Sequence, residues 1–433
     1  MSPQAMMTAL LNGARPDVDA LIDAFADRLP WLERLIDTPQ DPEWHGEGDV
    51  RVHTQMVLDE LYALFDAPEN QAIPAESRRE LVLGALLHDV AKPVTTRRME
   101  LHGVDRVVAP RHEARGRSYL APRLLDTGLS YASLQRVLGM VGSHHEPKLL
   151  SVKDRSPGHY RRISRRVDPQ QVALLELADM AGRWCPDKET QLNHVRWFAM
   201  ASEEYAPAGW WERWRCFFAE SLQSRPESVR DRVLGEAIRL YEADRVHSPE
   251  EAMYLSFQQP EAPPELLILV GPSGSGKSSF VARALSRGEA PYEVISLDGL
   301  REELAGDQAD QALNGQVRQE AKLRLRAALR PGRRVVWDAT NLRADFRAAI
   351  ANTGFDYGAL VTQVVFHKTI EGYNQGNRGR STAVPQRVLD GQLDALEWPE
   401  VDEAHRTVVV DGQGRARWWH GFTADTPPWE LAP

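Results

Sequence analysis

Leu266-Leu267-Ile268-Leu269-Val270-Gly271-Pro272-Ser273-Gly274-Ser275-Gly276-Lys277-Ser278-Ser279 decides the fold of the second half of the chain. The apolar run from Leu266 to Val270 is short and continuous, the pattern of a strand buried on both faces. The segment after it fits G-x-x-x-x-G-K-[ST] and leads into a helix, the context in which that pattern has a mechanical meaning. Gly271, Gly274 and Gly276 let backbone N–H groups come close to phosphate oxygens, and Ser273, Ser275 and Ser279 complete the cradle. Lys277 is expected to reach the β- and γ-phosphates and the Ser278 hydroxyl to hold Mg²⁺, so the expected ligand is ATP or another NTP with Mg²⁺.

Further strand-like runs follow at Val294–Leu297, Arg334–Trp337 and Leu360–Phe366, with helical stretches between them. Strands alternating with helices predict an α/β domain with a parallel sheet covered on both faces. The second run leads into Ser296-Leu297-Asp298-Gly299-Leu300-Arg301. An acid at the C-terminal end of a strand lies where open α/β sheets place their ligands. Asp298 is a candidate base for an acceptor hydroxyl, and Arg301 a candidate clamp for an acceptor phosphate; an Asp capping a helix is an equal reading. Asp338, at the end of the third run, is placed to organise Mg²⁺, and Thr340 and Asn341 follow it as candidate substrate contacts. Arg378 and Arg380, in Asn377-Arg378-Gly379-Arg380-Ser381-Thr382-Ala383-Val384-Pro385, suit a lid that stabilises charge on a transferred phosphoryl group.

The first two hundred residues read differently, as one amphipathic helix after another. Val52, Met56, Val57, Leu61 and Leu64 recur at helical spacing, and Leu81 to Val90 is denser and more buried. Within these apolar stretches stand His53, His88-Asp89, His112, His144-His145 and Asp179. Burying an ionisable group is costly unless it is paired or binds a metal. A lone histidine on an apolar face is ordinarily a satisfied core residue, but a set of His and Asp on several helices is not. Imidazole and carboxylate without thiolate suit Mn²⁺, Ni²⁺, Fe²⁺, Co²⁺ or Zn²⁺ at a catalytic site. His45, His102 and His159 lie in polar context and are read as surface residues. Lys153, Arg155, Arg161, Arg162, Arg165 and Arg166 form a basic stretch that suits a strand-end grip or a solvated helix face equally well, with Tyr160 as a possible stacking partner.

Between the halves, residues 207 to 246 read as helical and Trp-rich, with Trp210, Trp211 and Trp214 taken as packing groups. Gln258 to Pro264 reads as a stiff Pro-rich linker. The expected organisation is a helical metal domain over 1–200, a helical connector over 201–262 and a P-loop domain over 263–433. The chain has 433 residues, a net charge of −10 and two cysteines, Cys185 and Cys216. The net charge argues against broad nonspecific nucleic-acid binding, though not against gripping a strand end. Two cysteines make no disulfide framework. No secretory leader or membrane-spanning run stands out, and a cytoplasmic setting is expected.

The combination of P-loop, Leu297-Asp298-Gly299-Leu300-Arg301, Asp338-Ala339-Thr340-Asn341-Leu342 and the arginine pair before Val384-Pro385 resembles the 5′-hydroxyl polynucleotide kinases of phage and bacterial end-healing enzymes. That resemblance implies Asp298 as general base, Arg301 on the acceptor phosphate and a lid arginine on the ATP phosphates. The lid departs from the phage spacing, since Arg378 and Arg380 each fall one residue off. The order H…HD…H…HH…D is similar to the HD phosphohydrolase superfamily. It implies one metal on His53, His88, Asp89 and Asp179 and a second on His112 and His144, with Asp89 bridging. His145 would be a ligand, a substrate contact or a supporting partner, and Lys92, in His88-Asp89-Val90-Ala91-Lys92, would stabilise phosphate.

The domain looks most like the HD domain attached to bacterial tRNA CCA-adding enzymes, which acts on 2′-phosphates and 2′,3′-cyclic phosphates. In domain order and length the fusion resembles the bacterial HD-polynucleotide kinases. This implies RNA or DNA strand ends as partners, healed at both ends, with a separate ligase acting afterwards. Two rivals stand beside it: a small-molecule P-loop kinase joined to an HD nucleotidase, and a nucleotide-sensing regulatory switch.

Overall fold

The computed structural model describes residues 1–256, 262–284, 291–306, 313–380 and 382–425. The chain divides into two compact units, Met1–Ala208 and Gly209–Pro433. Gln258 to Glu261 of the Pro-rich stretch, and Ser381 in the lid segment, lie outside the described residues.

The first unit is helical. Asp49 caps the Val50–Asp66 helix by accepting from the Val52 N–H, which fixes where the helix starts and so where His53 points. The Ala75–Leu87 helix is buried from Arg79 onward, too apolar all round to be a surface element. It delivers His88 and Asp89 at its C-terminal end. The Tyr131–Ser143 and Pro169–Ala181 helices pack beside it, with Gly84 in close contact with Leu175 and Met140. The helical unit carries one hairpin, β1 (Arg97–Leu101) and β2 (Val104–Val108), paired antiparallel.

The second unit holds a six-stranded sheet. Its strands are β3 (Glu265–Val270), β4 (Glu293–Ser296), β5 (Arg334–Asp338), β6 (Leu360–Phe366), β7 (Arg406–Val410) and β8 (Ala416–His420), in the order β4-β5-β3-β6-β7-β8. Neighbours from β4 to β7 are parallel, and β8 returns antiparallel on β7. One face of the sheet buries Leu267, Leu269, Val336, Val364, Phe366 and Val408 with Phe280 and Phe422. Ser296 of β4 stands opposite Asp338 of β5, so the C-terminal ends of β3, β4 and β5 lie together. This is where ligands bind in such sheets.

The helices before β3 belong to this second unit. Asp231, on the Glu227–Glu242 helix, is fully buried; it accepts from Arg406 Nη1 of β7 at 3.0 Å and from the Thr423 N–H at 2.7 Å. Trp210 and Trp214 are buried in the same unit, and Trp214 stacks on Tyr241.

Candidate active sites

The histidines and aspartates of the first unit converge. His53 Nε2 lies 2.9 Å from Asp179 Oδ1 and 3.8 Å from Asp89 Oδ2. His88 Nε2 is 3.2 Å from Asp89 Oδ2, and His112 Nε2 is 3.1 Å from Asp89 Oδ1. The two oxygens of Asp89 therefore face two different groups of histidines. His112 Nε2 also stands 3.3 Å from His144 Nε2, and the His145 ring packs on that of His144 at 4.2 Å. His53, His88, Asp89, His144 and Asp179 are all buried to within 1% of full coverage.

The tautomers follow from the backbone. His88, His112 and His144 each place Nδ1 on the carbonyl three residues earlier: Ala85 O at 2.8 Å, Ala109 O at 2.7 Å and Val141 O at 2.9 Å. A carbonyl only accepts, so each Nδ1 carries the proton. In the neutral ring Nε2 is then a bare lone pair. Burial, ahead of the neighbouring histidines, pushes His144 and His145 well below the usual imidazole range, so these two rings are neutral. The neutral His144 ring turns its Nε2 lone pair on His112 Nε2 at 3.3 Å, and the two Asp89 oxygens stand 3.1–3.2 Å from the Nε2 atoms of His112 and His88. These donor atoms converge as ligands do around a cation. The buried Nε2 atoms of His88 and His145 have no hydrogen-bond partner. The donor set fits divalent metal with imidazole and carboxylate ligands.

Charged groups support the ring of ligands. Arg183 Nη2 donates to both oxygens of Asp179, at 2.7 and 2.5 Å, one turn along the same stretch of chain. Lys92 Nζ sits 2.6 Å from Asp89 Oδ2 and donates to Gln40 Oε1 at 2.7 Å. Glu47 Oε1 lies 3.0 Å from His53 Nδ1 and 2.8 Å from His45 Nδ1, and its Oε2 accepts from the Trp184 N–H at 2.9 Å. His45 is thus a buried member of the site, corrected from its reading as a surface residue; burial holds its pKa down at about 3. Behind the cluster, burial raises the Glu176 carboxyl above the usual range and lowers Lys148, whose backbone N–H donates to Glu176 Oε2 at 3.1 Å. A cavity of about 420 Å³ opens beside the ligands, lined by His45, Lys92, His112, His145, Lys148 and Arg183 among others.

Sequence reasoning did not single out Glu47, Lys148, Glu176 or Arg183. Arg183 had a usable signal, four residues after Asp179 on a helical stretch. Glu47 and His45 sit in a loop with no periodicity to mark them. Two residues of the basic stretch after His145 are put to structural uses. Tyr160 is buried, stacked at 5.5 Å on Phe198, and so is no platform for a base. Arg161 is buried too and donates to Tyr205 O.

In the second unit, Gly274 at φ +78° and Gly276 at φ +108° take backbone angles that side chains disfavour, and the loop turns back over the end of β3. Lys277 Nζ donates to Gly271 O at 2.7 Å and Pro272 O at 3.0 Å, with Ser275 Oγ at 3.2 Å. Burial lowers Lys277 to about 8, while Asp338 and Asp298 pull it back up and Arg380 pushes it down. Asp338 is raised by burial and shares the field of Lys277, Asp298 and Arg380. Lys277, Asp298, Asp338 and Arg380 therefore converge electrostatically, as a phosphoryl-transfer site requires. Ser278 and Ser279 are exposed at the opening of the Lys277–Ala284 helix.

Asp298 does not cap its helix. Ser296 Oγ fills that place by accepting from the Gly299 N–H, which leaves the Asp298 carboxylate exposed and ion-paired with Arg301. Of the two arginines expected to form a lid, both are exposed; Arg380 contributes to the field at Lys277 and Asp338, and Arg378 ends the Ile370–Arg378 helix. Asn377 anchors the lid: its Nδ2 donates to Val384 O at 2.8 Å and its Oδ1 accepts from the Val384 N–H at 3.0 Å. Lys368 Nζ, not singled out from sequence, donates to Gly274 O at 2.8 Å. Thr340 is half-buried, with its carbonyl accepting from the Gly271 N–H. Asn341, expected as a substrate contact, also holds the turn after β5. It is buried at φ +48°, its amide donating to Leu269 O at 2.6 Å and its oxygen accepting from Trp337 Nε1 at 3.1 Å.

Two family models match the chain, one described as an HD domain over residues 51–181 and one as an AAA domain over residues 266–399. One chain therefore joins a helical HD region to an α/β P-loop region, a pairing that supports a bifunctional kinase and phosphohydrolase. No curated protein matches it. Among the described residues, no helix is long and apolar enough to cross a membrane.

Proposed function

We propose that this chain heals broken nucleic-acid strands at both ends. The P-loop unit phosphorylates 5′-hydroxyl ends with ATP or another NTP, and the HD unit removes 2′,3′-cyclic, 2′- or 3′-phosphate. The observation that carries the reading is the exposed Asp298 carboxylate, paired with Arg301 in the field of Lys277 and Asp338. It supports the reading of Asp298 as an acceptor-side base and of Arg301 as a phosphate-binding cation.

In the kinase step, Asp298 takes the proton of the 5′-hydroxyl as the hydroxyl oxygen bonds to the γ-phosphorus, while the bond from that phosphorus to the β-phosphate oxygen breaks and the nucleoside diphosphate leaves. Lys277 and Arg380 hold charge on the transferred group, Ser278 and Asp338 would hold Mg²⁺, which would neutralise charge on the phosphates, and Arg301 holds the acceptor's first phosphate. In the hydrolase step, His53, His88, Asp89 and Asp179 would hold one divalent ion, and His112 and His144 a second, with His145 beside them and Asp89 shared. Mn²⁺, Ni²⁺, Fe²⁺, Co²⁺ or Zn²⁺ in that cradle would supply an activated water and neutralise charge at phosphorus. Lys92, in the cavity wall, adds a cation for the phosphate. The setting is cytoplasmic, with a separate ligase acting next.

The test is mass spectrometry of a short RNA bearing a 5′-hydroxyl and a 2′,3′-cyclic phosphate. It is incubated with the protein and ATP–Mg²⁺, with and without Mn²⁺ or Ni²⁺. Gain of phosphate at the 5′ end and its loss at the other are expected. If neither end changes, a small-molecule kinase joined to an HD nucleotidase replaces this reading.

A further inference from the structure

Two tryptophans stand exposed beside the metal cavity, on two loops that are tied together. Trp44, 40% exposed, lines the cavity that holds His45, His112 and His145. Trp184, 65% exposed, lines an adjoining groove with Pro42, Glu43 and Lys188, and Arg183 lines both. The loops meet through reciprocal bonds: the Gly46 N–H donates to Trp184 O at 2.9 Å, and the Trp184 N–H donates to Glu47 Oε2 at 2.9 Å. A Cβ at position 46 would sit 3.1 Å from Trp184 O, so glycine permits this approach.

Trp44 is also held from the side. The Arg106 guanidinium lies 5.0 Å from its ring centroid, and Arg106 pairs with buried Asp41 at 3.0 Å and with Glu43 at 2.5 Å. Asp41 further accepts from the Val107 N–H of the hairpin at 3.1 Å. A large indole kept partly in water, and fixed by a guanidinium that is itself fixed, is a preformed stacking surface.

We infer that Trp44 and Trp184 form a base-stacking track leading out of the metal cavity, on which the last two nucleobases of a single strand lie. The inference rests on the proposed end-healing reading and narrows its hydrolase substrate to a strand rather than a free mononucleotide. Stacking on an aromatic side chain is tolerant of sequence because every base has a π-face. Trp44, in the cavity wall, takes the terminal base beside the phosphate. Trp184, in the adjoining groove, takes the penultimate one, with Lys188 on the same wall for the backbone.

The experiment measures binding of a 5′-labelled hydroxyl-ended hexanucleotide by fluorescence anisotropy without ATP, so nothing turns over. KM is measured beside it for a hexanucleotide and a mononucleotide that carry the same 2′,3′-cyclic phosphate. Trp44→Ala is expected to weaken hexanucleotide binding roughly tenfold and to raise KM for both substrates. Trp184→Ala is expected to weaken hexanucleotide binding by a similar factor and to leave the mononucleotide KM unchanged. Trp44→Phe and Trp184→Phe restore most of the loss, which a merely unfolded loop would not allow. Wild-type binding of the hexanucleotide by both alanine variants overturns the track and leaves the tryptophans as contacts for a protein partner. If the wild type hydrolyses neither substrate while both variants still weaken strand binding, the track stands and the hydrolase reading falls.

Discussion

Replacing Glu47 with Gln tests whether the metal cradle depends on a carboxylate behind one of its ligands. His88, His112 and His144 rest Nδ1 on backbone carbonyls, whereas His53 Nδ1 faces Glu47 Oε1 at 3.0 Å. The Glu47 side chain is completely buried and also meets His45 Nδ1 and the Trp184 N–H. Glutamine keeps the shape but removes the charge and turns one oxygen into a donor. That donor must face either the Trp184 N–H, which cannot accept it, or the Nδ1 atoms of His45 and His53, which accept it only where they carry no proton. Losing the partner behind a ligating histidine ordinarily weakens metal binding by about 10–100-fold, or about 1.4–2.7 kcal/mol. The contact is charge-assisted and shielded from water, which places the expected loss in the upper half of that range. The assay titrates metal-stripped protein with Zn²⁺ or Mn²⁺ against a chromophoric chelator, with the 5′-kinase rate as internal control. The expected result is a weakened metal step with the kinase rate unchanged. Wild-type metal affinity in a folded Glu47→Gln protein would refute the reasoning, since His53 would then need no carboxylate.

Asp298→Asn is expected to lower the kinase rate by about 10²–10⁴-fold, the usual worth of a general base, while ATP binding by calorimetry stays at the wild-type value; an unchanged rate removes Asp298 from the base role. Arg380→Ala is expected to cost about 10³-fold in kinase turnover and Arg378→Ala much less, because Arg380 is among the charges acting most strongly on Lys277 and Asp338; the reverse order in a steady-state assay assigns the role to Arg378. His405 is held neutral by burial, its pKa lowered to about 4, with Nδ1 accepting from the Val361 N–H and Glu236, Arg239 and Arg232 around it. The unfolded chain takes up that proton near pH 6.5 and the folded chain does not, so stability falls as pH drops from about 6.5 to about 4, by roughly 3 kcal/mol in full. Urea midpoints at pH 7.5 and 5.0 should therefore differ less in His405→Asn than in the wild type, and equal pH dependence in the two proteins would show that His405 titrates normally.

What could be read from the sequence depended on how far each residue's partner lies along the chain. The P-loop is contiguous, and its glycines, lysine and serines announce themselves together. His88 and Asp89 stand out because their neighbours Leu86, Leu87 and Val90 are apolar, so the cost of burying them is visible locally. Asp231 has the opposite setting, between Arg230 and Arg232, and reads as a solvated helix charge; its partner Arg406 lies 175 residues away on β7. The helices assigned to a connector are for that reason part of the P-loop unit, a fact that no local pattern carries. Glu47 is hidden in the same way, since what makes it part of the site is His53 on one side and the Trp184 backbone on the other. Asn341 carries a demand that its neighbours do not show: it follows a motif acid, and its left-handed backbone and its bonds to Leu269 and Trp337 also serve the turn after β5. A polar residue was thus legible where its own neighbours made burial improbable or where its chemistry was contiguous. It was illegible where a loop brought its partner from elsewhere, and it is at such loops, 39–48 and 182–188, that the choice of substrate is now expected to reside.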